Sequence, residues 1–554
     1  MKKVLAKYWF VFTLLLLGLT LWPLFLPGYF SHHDDLQVMR IFEMRKCIED
    51  LQIPCRWVPD MGYGNGYPLF NYYSVFPYYL AAILSYIFGF LASAKLLFAI
   101  PLFLGAISMY LLAKELFGVY PAILASVLYT FAPYRSLDTY VRGAVAESFA
   151  MATIPLVFYF ALKLTKLKST KYLVGLSVSL AIFLVSHNIM ILLFFPVLLI
   201  FILYQLVLEK WKNLSSLALG LILGIGLSSF FIFPAYFEKN LVQIDNLIRL
   251  DLNFRAHFVT VPQLLFDRSW GYGASSPGTN DTISFQIGWP HWWIVVAAFI
   301  MFLFSIIYKR KFNSLSLLLF MTFLFSIFMT HIKSAFIWEK IEVLKFTQFP
   351  WRFLSVAIFS SSLLGAYLVQ NFKEVYKKYL SLILIILIII LNWNYFKPKE
   401  FYPSMTDQEK LSGKLWEDQQ KAAILDYLPQ TAVQPREAAP DKPIVVSGKG
   451  EVLKFENRSN KWQFQAKVED KTSIEVPVFD FPIWEVKVND QKMSFSNKNY
   501  LGRISINFER GGDYFVSGKF VDTTIRKISN VTSLVSLIIL IGVVFYGKSK
   551  KRFN

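Results

Sequence analysis

Apolar runs of roughly 16 to 22 residues recur along most of this chain, and a bilayer core of about 30 Å needs about 20 helical residues to cross it. The composition agrees, because 55% of the 554 residues are hydrophobic and only 17% are charged, unlike an average soluble domain. We therefore predict an all-α polytopic membrane protein with about twelve transmembrane helices. The predicted spans cover 8–28, 94–113, 118–133, 149–163, 172–186, 189–207, 214–234, 291–308, 313–330, 353–370, 379–396 and 528–546.

The formal charge of +19 is explained by membrane topology and predicts no nucleic-acid partner. Short basic clusters flank the apolar runs, and the positive-inside rule places them in the cytoplasm. They are Lys2/Lys3/Lys7, Lys163/Lys166/Lys168/Lys171, Lys210/Lys212, Lys309/Arg310/Lys311, Lys373/Lys377/Lys378 and Lys548/Lys550/Lys551/Arg552. Both termini then lie inside an inner (cytoplasmic) membrane, and the outer segments are 29–93, 134–148, 235–290, 331–352 and 397–527.

The N-terminal region contains three features that admit more than one interpretation. The run from Tyr8 to Leu26 is long and lacks a small-residue cleavage pattern, so it predicts an uncleaved signal anchor. Counting 72–91 as a span would place the lysine clusters outside, so we interpret it as an interfacial helix. The two cysteines, Cys47 and Cys55, both lie in the first outer loop. They form either a disulfide, if the compartment is oxidising, or two free thiols.

The last outer segment changes character along its length. Residues 397–442 are polar and interrupted by prolines, which indicates part helix and part loop. The alternation in Trp484-Val486-Val488 before Asn489-Asp490, and in Ile504-Ile506-Phe508 before Gly511-Gly512 and Tyr514-Val516, predicts two β-hairpins. We therefore divide the chain into a transmembrane domain (1–396), an extracytoplasmic domain (397–527) that is β-rich from about 444, and a final helix with a basic tail (528–554).

An acidic run opens the first outer loop. Ser31-His32-His33-Asp34-Asp35 follows the first span directly, and adjacent carboxylates at a membrane surface are costly unless they are solvated or used. A solvated helix N-terminus is the structural alternative, because carboxylates suit the first turn of a helix. His33 could join the carboxylates in binding a divalent metal, although ligands adjacent in sequence rarely all converge. A metal is possible here but is not required.

Aromatic side chains recur in the outer loops. Arg56 and Trp57 precede a glycine-rich stretch that ends at Tyr67, and Tyr72 follows. Glycines let backbone approach a ligand, and aromatic rings offer apolar faces with polar tips, a combination that suits a sugar. An interfacial aromatic belt would explain the same residues. Further outer candidates are Trp270, Tyr272 and Gln348.

Two arginines lie beside predicted helix starts. Arg142 and Glu147 stand at the mouth of a helix that begins near Ser148, where an arginine can bind a phosphate; a surface ion pair is the alternative. Arg352 precedes another span, where it either binds a lipid phosphate or extends its side chain to the interface. The span interiors carry almost no charged residues, which disfavours an ion-coupled transporter.

Several motifs together indicate a family. The order of a signal anchor, an acidic outer loop, an interfacial helix, further spans and a C-terminal outer domain resembles the GT-C class of membrane glycosyltransferases. More narrowly, the chain resembles a bacterial branch labelled pyruvoyl-tetrahydropterin-synthase-related membrane proteins, over most of its length. The motifs are His33-Asp34, Arg56-Trp57-Val58-Pro59, Gly64-Asn65-Gly66-Tyr67-Pro68, Pro133-Tyr134-Arg135, Arg142-Gly143-Ala144 with Glu147, Gln348-Phe349-Pro350-Trp351-Arg352 and Phe481-Pro482-Ile483-Trp484.

The resemblance implies transfer of a sugar from a polyprenyl-phosphate donor to a glycan, lipid or protein acceptor on the outer face of the membrane. Asp34 occupies the position of the general base, with Asp35 as the alternate, and Glu147 matches the second acidic position. Arg142, Arg56 or Arg352 would hold the phosphate. The alternative is a non-catalytic lipid or glycan binding or flipping protein. The enzyme requires these carboxylates to converge in one outer cavity.

Overall fold

The computed structural model describes residues 11, 15–249, 252–273, 275–276, 281–482 and 484–552, with side chains described as far as residue 546. Residues 8–10 and 12–14 of the predicted signal anchor lie outside these ranges, as do Lys2/Lys3/Lys7, Ile483 and the side chains of the basic tail. The described part of the anchor contains an apolar helix, Leu15–Phe25. The longer helices are α1 (Gln37–Glu49), α2 (Phe76–Phe88), α3 (Phe90–Phe117), α4 (Val119–Thr130), α5 (Val145–Lys166), α6 (Thr170–Ser186), α7 (Asn188–Leu208), α8 (Leu214–Phe237), α9 (Trp289–Ile307), α10 (Ser314–Thr330), α11 (Leu354–Gln370), α12 (Glu374–Asn392) and α13 (Thr524–Arg552).

Several of these helices have the length of a membrane span. In the described ranges, seven helices are long and apolar enough to cross a membrane, or eight if Ser314–Thr330 and Ile332–Lys340, bent by 96°, form one span. The predicted spans at 118–133 and 172–186 correspond to shorter helices of 12 and 17 residues. The count of twelve spans therefore stays a prediction. Helix α2 has only 13 residues, which makes it about 20 Å long and shorter than a bilayer core.

Glycines in the left-handed backbone region separate the first helices. Gly89 (φ 79°) lies between α2 and α3, and Gly118 (φ 90°) lies between α3 and α4. The N-terminus of α3 is capped from a distant part of the chain, because the Asp407 carboxylate accepts hydrogen bonds from the backbone N–H groups of Phe90 (2.7 Å) and Leu91 (2.8 Å). These bonds satisfy two of the donors that a helix start leaves free.

The C-terminal outer segment forms antiparallel sheets. Its strands are β3 (Ile444–Ser447), β4 (Gly450–Asn457), β5 (Lys461–Val468), β6 (Thr472–Phe479), β7 (Trp484–Val488), β8 (Gln491–Lys492), β9 (Arg503–Phe508) and β10 (Gly512–Phe520), after the short strands β1 (Tyr29–Phe30) and β2 (Phe401–Tyr402). One sheet has the order β4-β5-β10-β7-β8 and the other β3-β6-β9. Both supply buried apolar side chains, which alternate with exposed ones as expected for strands with one covered face.

The structure confirms one of the two predicted hairpins and corrects the other. Strands β7 and β8 pair across Asn489 and Asp490, as the alternation indicated. The hairpin of β9 with β10 is wrong: β9 pairs with β6, whereas β10 pairs with β5 and β7. A side chain at Gly511 would come within 2.1 Å of the Glu469 carbonyl oxygen. Gly511 therefore allows a close backbone approach to the Glu469 carbonyl, a use that local alternation does not reveal.

Two long-range connections join the outer segment to the helices. Strand β1, at the start of the first outer loop, pairs with β2 through Tyr29↔Tyr402 and Phe30↔Phe401. Helix α13 returns to the bundle and packs closely on α8, where Ser229 Oγ donates to the Ser529 carbonyl at 3.0 Å. The first outer loop is therefore fixed against residues that lie about four hundred positions later in the chain.

Candidate active site

The acidic loop, residues 31–35, is held by the backbone of the second outer loop. The N–H groups of His33 and Asp34 donate to the carbonyls of Val141 and Arg142, both at 2.9 Å. Gly143 has φ 71°, and a Cβ there would come within 2.2 Å of the His32 ring. Only glycine therefore allows this close approach. The motif Arg142-Gly143-Ala144 thus positions the acidic loop through its backbone.

Asp34 has one cationic partner and remains accessible. Arg40 Nη1 lies 2.7 Å from Asp34 Oδ2, and the Asp34 side chain is 31% exposed. Arg40 itself is buried and its guanidinium lies over the Tyr73 ring, 4.3 Å from the centroid. Burial would raise the pKa of Asp34, but the charge and hydrogen bond of Arg40 outweigh it and lower that pKa below its ordinary value. Asp34 is therefore an ionised carboxylate that a ligand can reach.

Asp35 is paired with the C-terminal outer segment. Lys410 Nζ lies 2.6 Å from Asp35 Oδ2, and Lys410 is almost completely buried while Asp35 is 36% exposed. The Tyr272 hydroxyl donates to the His32 carbonyl at 2.8 Å, so this predicted ligand residue contacts the acidic loop. The two neighbouring aspartates thus form ion pairs with different cations, and both side chains remain partly exposed to solvent.

A second group of charges surrounds Glu147 at the start of α5. The Glu147 Oε2 atom lies 3.0 Å from Arg142 Nη1 and 3.4 Å from Arg352 Nε, and Oε1 accepts a hydrogen bond from the Tyr134 hydroxyl. Arg142 also binds Asp138. We call these four charged residues, Asp138, Arg142, Glu147 and Arg352, the arginine cluster. It has two cations and two carboxylates, and all four side chains are buried or nearly so.

Aromatic rings and an amide fix the two arginines. The Arg142 guanidinium lies over Trp351 at 4.4 Å, and that of Arg352 lies over Phe349 at 5.0 Å. Arg352 Nη1 also donates to Gln348 Oε1 at 3.2 Å, and the Gln348 amide nitrogen donates to the Leu247 carbonyl at 2.9 Å. Stacked guanidinium planes with fixed donors are suited to bidentate binding of an anion.

Arg142 joins the two groups of charges. Its backbone carbonyl accepts from Asp34, and its guanidinium binds Glu147. Asp34 and Glu147 are 113 positions apart in sequence, yet a single residue contacts both. A cavity of about 290 Å³ lies away from these residues and is lined by Ile248, Asn253, Phe254, Arg255, Glu339 and Lys345. We therefore identify the acidic loop as the candidate site from its charged groups rather than from the size of a cavity.

Arg56 and Tyr72, predicted to bind substrate, lie in a different buried network. Glu238 is the centre of this ion-pair network: Arg526 Nη2 lies 2.7 Å from its Oε2, and the Asn71 amide donates to the same atom at 3.1 Å. The Tyr72 hydroxyl donates to the Glu238 carbonyl. Arg56 donates to Asn71 at 3.1 Å and to two groups on α8 and α13, the Phe230 carbonyl and the Asn530 side chain. These contacts are all internal to the protein.

The other predicted aromatic ligands also have internal partners. Trp57 is buried against Gly66, whose Cβ would come within 2.3 Å of the indole, and against Phe481 and Trp484 of the β-rich domain. Trp270 Nε1 donates to the Lys397 carbonyl at 3.0 Å. The Tyr67 hydroxyl binds two backbone groups of the segment 423–427. Their role in sugar binding stays a prediction, and the structure gives each of them a packing role.

The first outer loop contains a disulfide. Cys47 on α1 and Cys55 are joined with an S–S distance of 1.99 Å, which decides between the two alternatives that the sequence left open. Metal binding finds no support: within the described ranges, no three His, Cys, Asp or Glu side chains form a group that could hold a metal ion. His33 therefore has no set of partner ligands there, because Arg40 and Lys410 occupy the carboxylates beside it.

Three residues at the site were missed from the sequence. Arg40 lies one and a half helical turns after the acidic run, and the spacing along α1 could have indicated it. Lys410 and Asp426 lie in the polar segment 397–442, where nothing local distinguishes them from solvated charges. Burial raises the pKa of Asp426 to about 7; the charge of Arg40 opposes this rise and that of Asp34 adds to it.

The fold and site define a polytopic helical membrane protein with an acidic and arginine-rich site in its loops. Residues 70–398 match the family described as the 6-pyruvoyl-tetrahydropterin synthase related domain, a membrane protein family. Because this match covers more than half of the 554 residues, the chain belongs to that family, as the motifs predicted. The family description says nothing of the reaction.

The similar proteins are distant. An uncharacterized protein of Lactococcus lactis subsp. cremoris (strain MG1363) is 23% identical over an alignment of 350 residues, and this alignment covers 57% of this chain and 53% of that protein. The crystal structure of ArnT from Cupriavidus metallidurans bound to undecaprenyl phosphate has 14% identity and a TM-score of 0.37, covering 69% of this chain and 63% of that one. The Archaeoglobus fulgidus oligosaccharyltransferase tethered with an acceptor peptide has 16% identity and a TM-score of 0.39, covering 76% and 63%. Neither structural likeness is strong enough to assign a reaction.

Proposed function

We propose that this protein is a membrane glycosyltransferase of GT-C type that moves a sugar from a polyprenyl-phosphate carrier to an acceptor on the outer face of the membrane. One observation carries the proposal. An accessible, ionised Asp34 is attached through the backbone of Arg142 to a cluster in which Arg142 and Arg352 are stacked on aromatic rings. A base and a phosphate-binding group are thereby close to each other.

The chemistry needs these two groups and little else. A polyprenyl phosphate is already a competent leaving group, so one carboxylate acting on the acceptor hydroxyl suffices, whereas a glycosidase needs an acid and a base. Asp34 takes the proton from the acceptor hydroxyl, with Asp35 as the alternate base. Arg142 and Arg352 hold the carrier phosphate and stabilise the charge that develops on it, while Glu147 orients both guanidinium groups.

The same proposal includes the placement in the membrane. Basic clusters between the spans favour cytoplasmic termini and an outer position for the acidic loop and the β-rich domain. The lipid bilayer is then a partner on which the donor resides. A reporter fused after Lys168 should be cytoplasmic and one within 430–500 external; the reverse result would discard this orientation.

The test is an assay of the full chain in lipid with a panel of polyprenyl-phosphate sugars, measured as loss of donor. Asp34→Asn keeps the size of the side chain and removes its basicity, so we expect turnover to fall by about 10² to 10⁴. Asp35→Asn is the matched control with the same chemical change one residue away. We expect it to be milder, because Asp34 is the base in this proposal.

The outcomes separate the two candidate functions. A wild-type protein that binds donors without consuming any of them would support the non-catalytic binding or flipping protein instead. If wild-type turnover is seen and Asp35→Asn is the more severe change, the base is the neighbouring carboxylate. If both single variants and the double variant keep wild-type turnover, the acidic loop is not the catalytic site.

A further inference from the structure

The two oxygens of the Asp34 carboxylate have different surroundings. Arg40 Nη1 lies 2.7 Å from Oδ2, and the Gln37 amide nitrogen lies 3.5 Å from the same atom. Oδ1 is not buried, and in the part of the chain that the structure describes it makes no hydrogen bond. The carboxylate therefore has one oxygen held by a cation and one whose lone pairs are free to accept a proton.

Two further buried side chains fix the arginine against the acidic loop. The Gln37 amide nitrogen donates to the Asp34 carbonyl at 2.9 Å and to the Gly143 carbonyl at 2.8 Å. The Tyr78 hydroxyl donates to Gln37 Oε1 at 2.7 Å and accepts from Arg40 Nη1 at 3.4 Å. We call the side chains of Gln37, Arg40 and Tyr78, all of which are buried, the Arg40 network. Rotation of the Asp34 carboxylate would break its bond to this network, so the network determines which oxygen is free.

The neighbouring Asp35 has no oxygen that is both exposed and unpartnered. Its Oδ2 lies 2.6 Å from Lys410 Nζ. Its Oδ1 is buried and lies 3.6 Å from His32 Nε2. Because His32 Nδ1 donates to the Phe30 carbonyl at 3.2 Å, Nε2 of the neutral ring carries no proton and cannot donate to Asp35. Asp35 therefore offers an acceptor hydroxyl no oxygen comparable with Oδ1 of Asp34.

We propose that the Arg40 network selects Asp34 over Asp35 as the general base and presents its Oδ1 to the acceptor, an inference that rests on the glycosyl transfer proposed above. Oδ1 takes the proton as the acceptor oxygen forms its bond to the anomeric carbon. The bond from that carbon to the phosphate oxygen breaks, and its electron pair leaves with the phosphate. The proton then passes from Oδ1 to water. The three members of the network are positioning residues, because they act on the acceptor only through Asp34.

Arg40 also determines the charge of Asp34. Burial would raise the pKa of Asp34, whereas the charge and hydrogen bond of Arg40 lower it. A variant without Arg40 should therefore ionise Asp34 only at higher pH. The other charged or titratable groups around Asp34 are His32, His33, the adjacent Asp35, Arg142, Tyr29, Tyr73, Tyr78, Asp426 and Tyr427. All of them remain in such a variant, so a comparison with wild type isolates the effect of Arg40.

The experiment compares Arg40→Met with wild type in the donor-consumption assay of the full chain in lipid, from pH 5 to 9. The base must be ionised, so the variant should lose at least about 10-fold more turnover at pH 5 than at pH 9, relative to wild type and with the KM for the donor unchanged. Arg40→Lys keeps the positive charge and should restore most of the wild-type pH profile. Arg45→Met is the matched control on the same helix, since Arg45 pairs with the exposed Glu49 and lies over Tyr86. Its profile should match wild type.

Tyr78→Phe keeps the ring and all charges, so it tests orientation alone. The variant loses the hydroxyl that joins Gln37 to Arg40. Turnover per folded molecule should fall by about 2- to 10-fold at every pH, the effect of one hydrogen bond, without a change in the pH profile. Tyr86→Phe is the control, because the Tyr86 hydroxyl donates to the exposed Glu49 at 3.2 Å, and it should leave turnover unchanged.

A measurement without substrate separates this inference from the proposed function. A water-soluble carbodiimide modifies protonated carboxyl groups, so the labelling of Asp34, followed by peptide mass spectrometry, reports its ionisation. Labelling should begin at higher pH in Arg40→Met than in wild type, and Arg45→Met should show no such shift. If wild type consumes none of the donors but the shift is seen, the glycosyl transfer is wrong and the effect of Arg40 on Asp34 stands. If neither turnover nor a shift is seen, both proposals fall.

Two results would overturn the inference while the glycosyltransferase stands. In the first, Arg40→Met lowers turnover by the same factor at every pH, or not at all, and the labelling of Asp34 does not shift. Such a result would mean that Arg40 has only a structural role. In the second, Asp35→Asn loses more turnover than Asp34→Asn, which would mean that the network does not select the base.

Discussion

The acidic loop and the Glu238 ion-pair network both combine carboxylates with arginine, but they differ in how completely their polar atoms are bound. Glu238 accepts from Arg526, Asn71 and Thr523, and Glu238, Asn71 and Arg526 are all buried. Asp34 has the single cation Arg40 and keeps 31% of its side chain exposed. A carboxylate whose partners are complete can only support structure, whereas an incomplete and accessible one can still take a ligand.

The two groups also differ in the parts of the chain that they join. The Glu238 network connects α8 and α13 with the segment that follows the disulfide. The acidic loop connects the first outer loop with the second one and with the C-terminal outer segment. Exposure therefore distinguishes Asp34 and Asp35 from Glu238, and the residue types do not. Variants of each group test this distinction.

The largest effect on stability is expected for Arg526→Met. The change leaves the Glu238 carboxylate buried without its cation, and breaking a buried pair in this way typically costs about 3–5 kcal/mol. We expect the free energy of unfolding to fall by that amount, measured by thermal or denaturant unfolding in detergent. Turnover per folded molecule should not change, because the network lies outside the proposed site.

The double variant Glu238→Leu/Arg526→Met is the matched control. It removes both charges, and an apolar pair of similar volume is often as stable as the ion pair it replaces. Most of the lost stability should therefore return. If the single Arg526→Met variant is as stable as wild type, the prediction is wrong and the loss of the cation does not destabilise the protein.

A smaller effect is expected for removal of the disulfide in Cys47→Ser/Cys55→Ser. The bond links α1, which carries Arg40, to the residue before Arg56, so it joins the two regions compared here. It closes a short loop with a sequence separation of 8, for which the chain-entropy relation gives about 2–3 kcal/mol. Unfolding of wild type with and without a reductant should reproduce the difference seen between wild type and the variant. Equal stability of oxidised wild type, reduced wild type and the variant would contradict the prediction.

The smallest effect is expected for Lys410→Met. Asp35 loses its cation, but it is 36% exposed, so water replaces most of the interaction and the loss should be about 0.5–1.5 kcal/mol. The exposed Lys414→Met on the same segment is the control and should leave the unfolding midpoint unchanged. A loss for Lys410→Met as large as that for Arg526→Met would mean that exposure does not separate the two regions.

The sequence predicted the features that depend on neighbouring residues. Apolar runs located the helices because membrane burial is a property of a whole segment, and alternation located β7 and β8. The acidic loop was chosen as a candidate because adjacent carboxylates at a membrane surface are costly unless they are solvated or used. These signals are local, and the family membership followed from short motifs of the same kind.

What the sequence did not reveal depends on contacts between distant segments. Nothing near Arg56 indicates that its partners are Asn71, Phe230 and Asn530 rather than a phosphate. Nothing near Lys410 separates it from the exposed Lys414, since only the folded chain pairs Lys410 with Asp35. The same limit explains the wrong pairing of β9 with β10. Alternation indicates which side chains share one face of a strand, but it does not indicate which other strand pairs with it.

The pairing of Glu238 with Arg526 has a consequence for biosynthesis. The two residues are separated by 288 positions, and a ribosome that adds about 5–20 residues per second needs on the order of 15–60 s to reach the second after the first. During that interval Glu238 is at the end of α8 without its cation, as it also is in any chain that terminates early. Cells that degrade membrane proteins with unpaired charges would therefore remove incomplete copies of this chain.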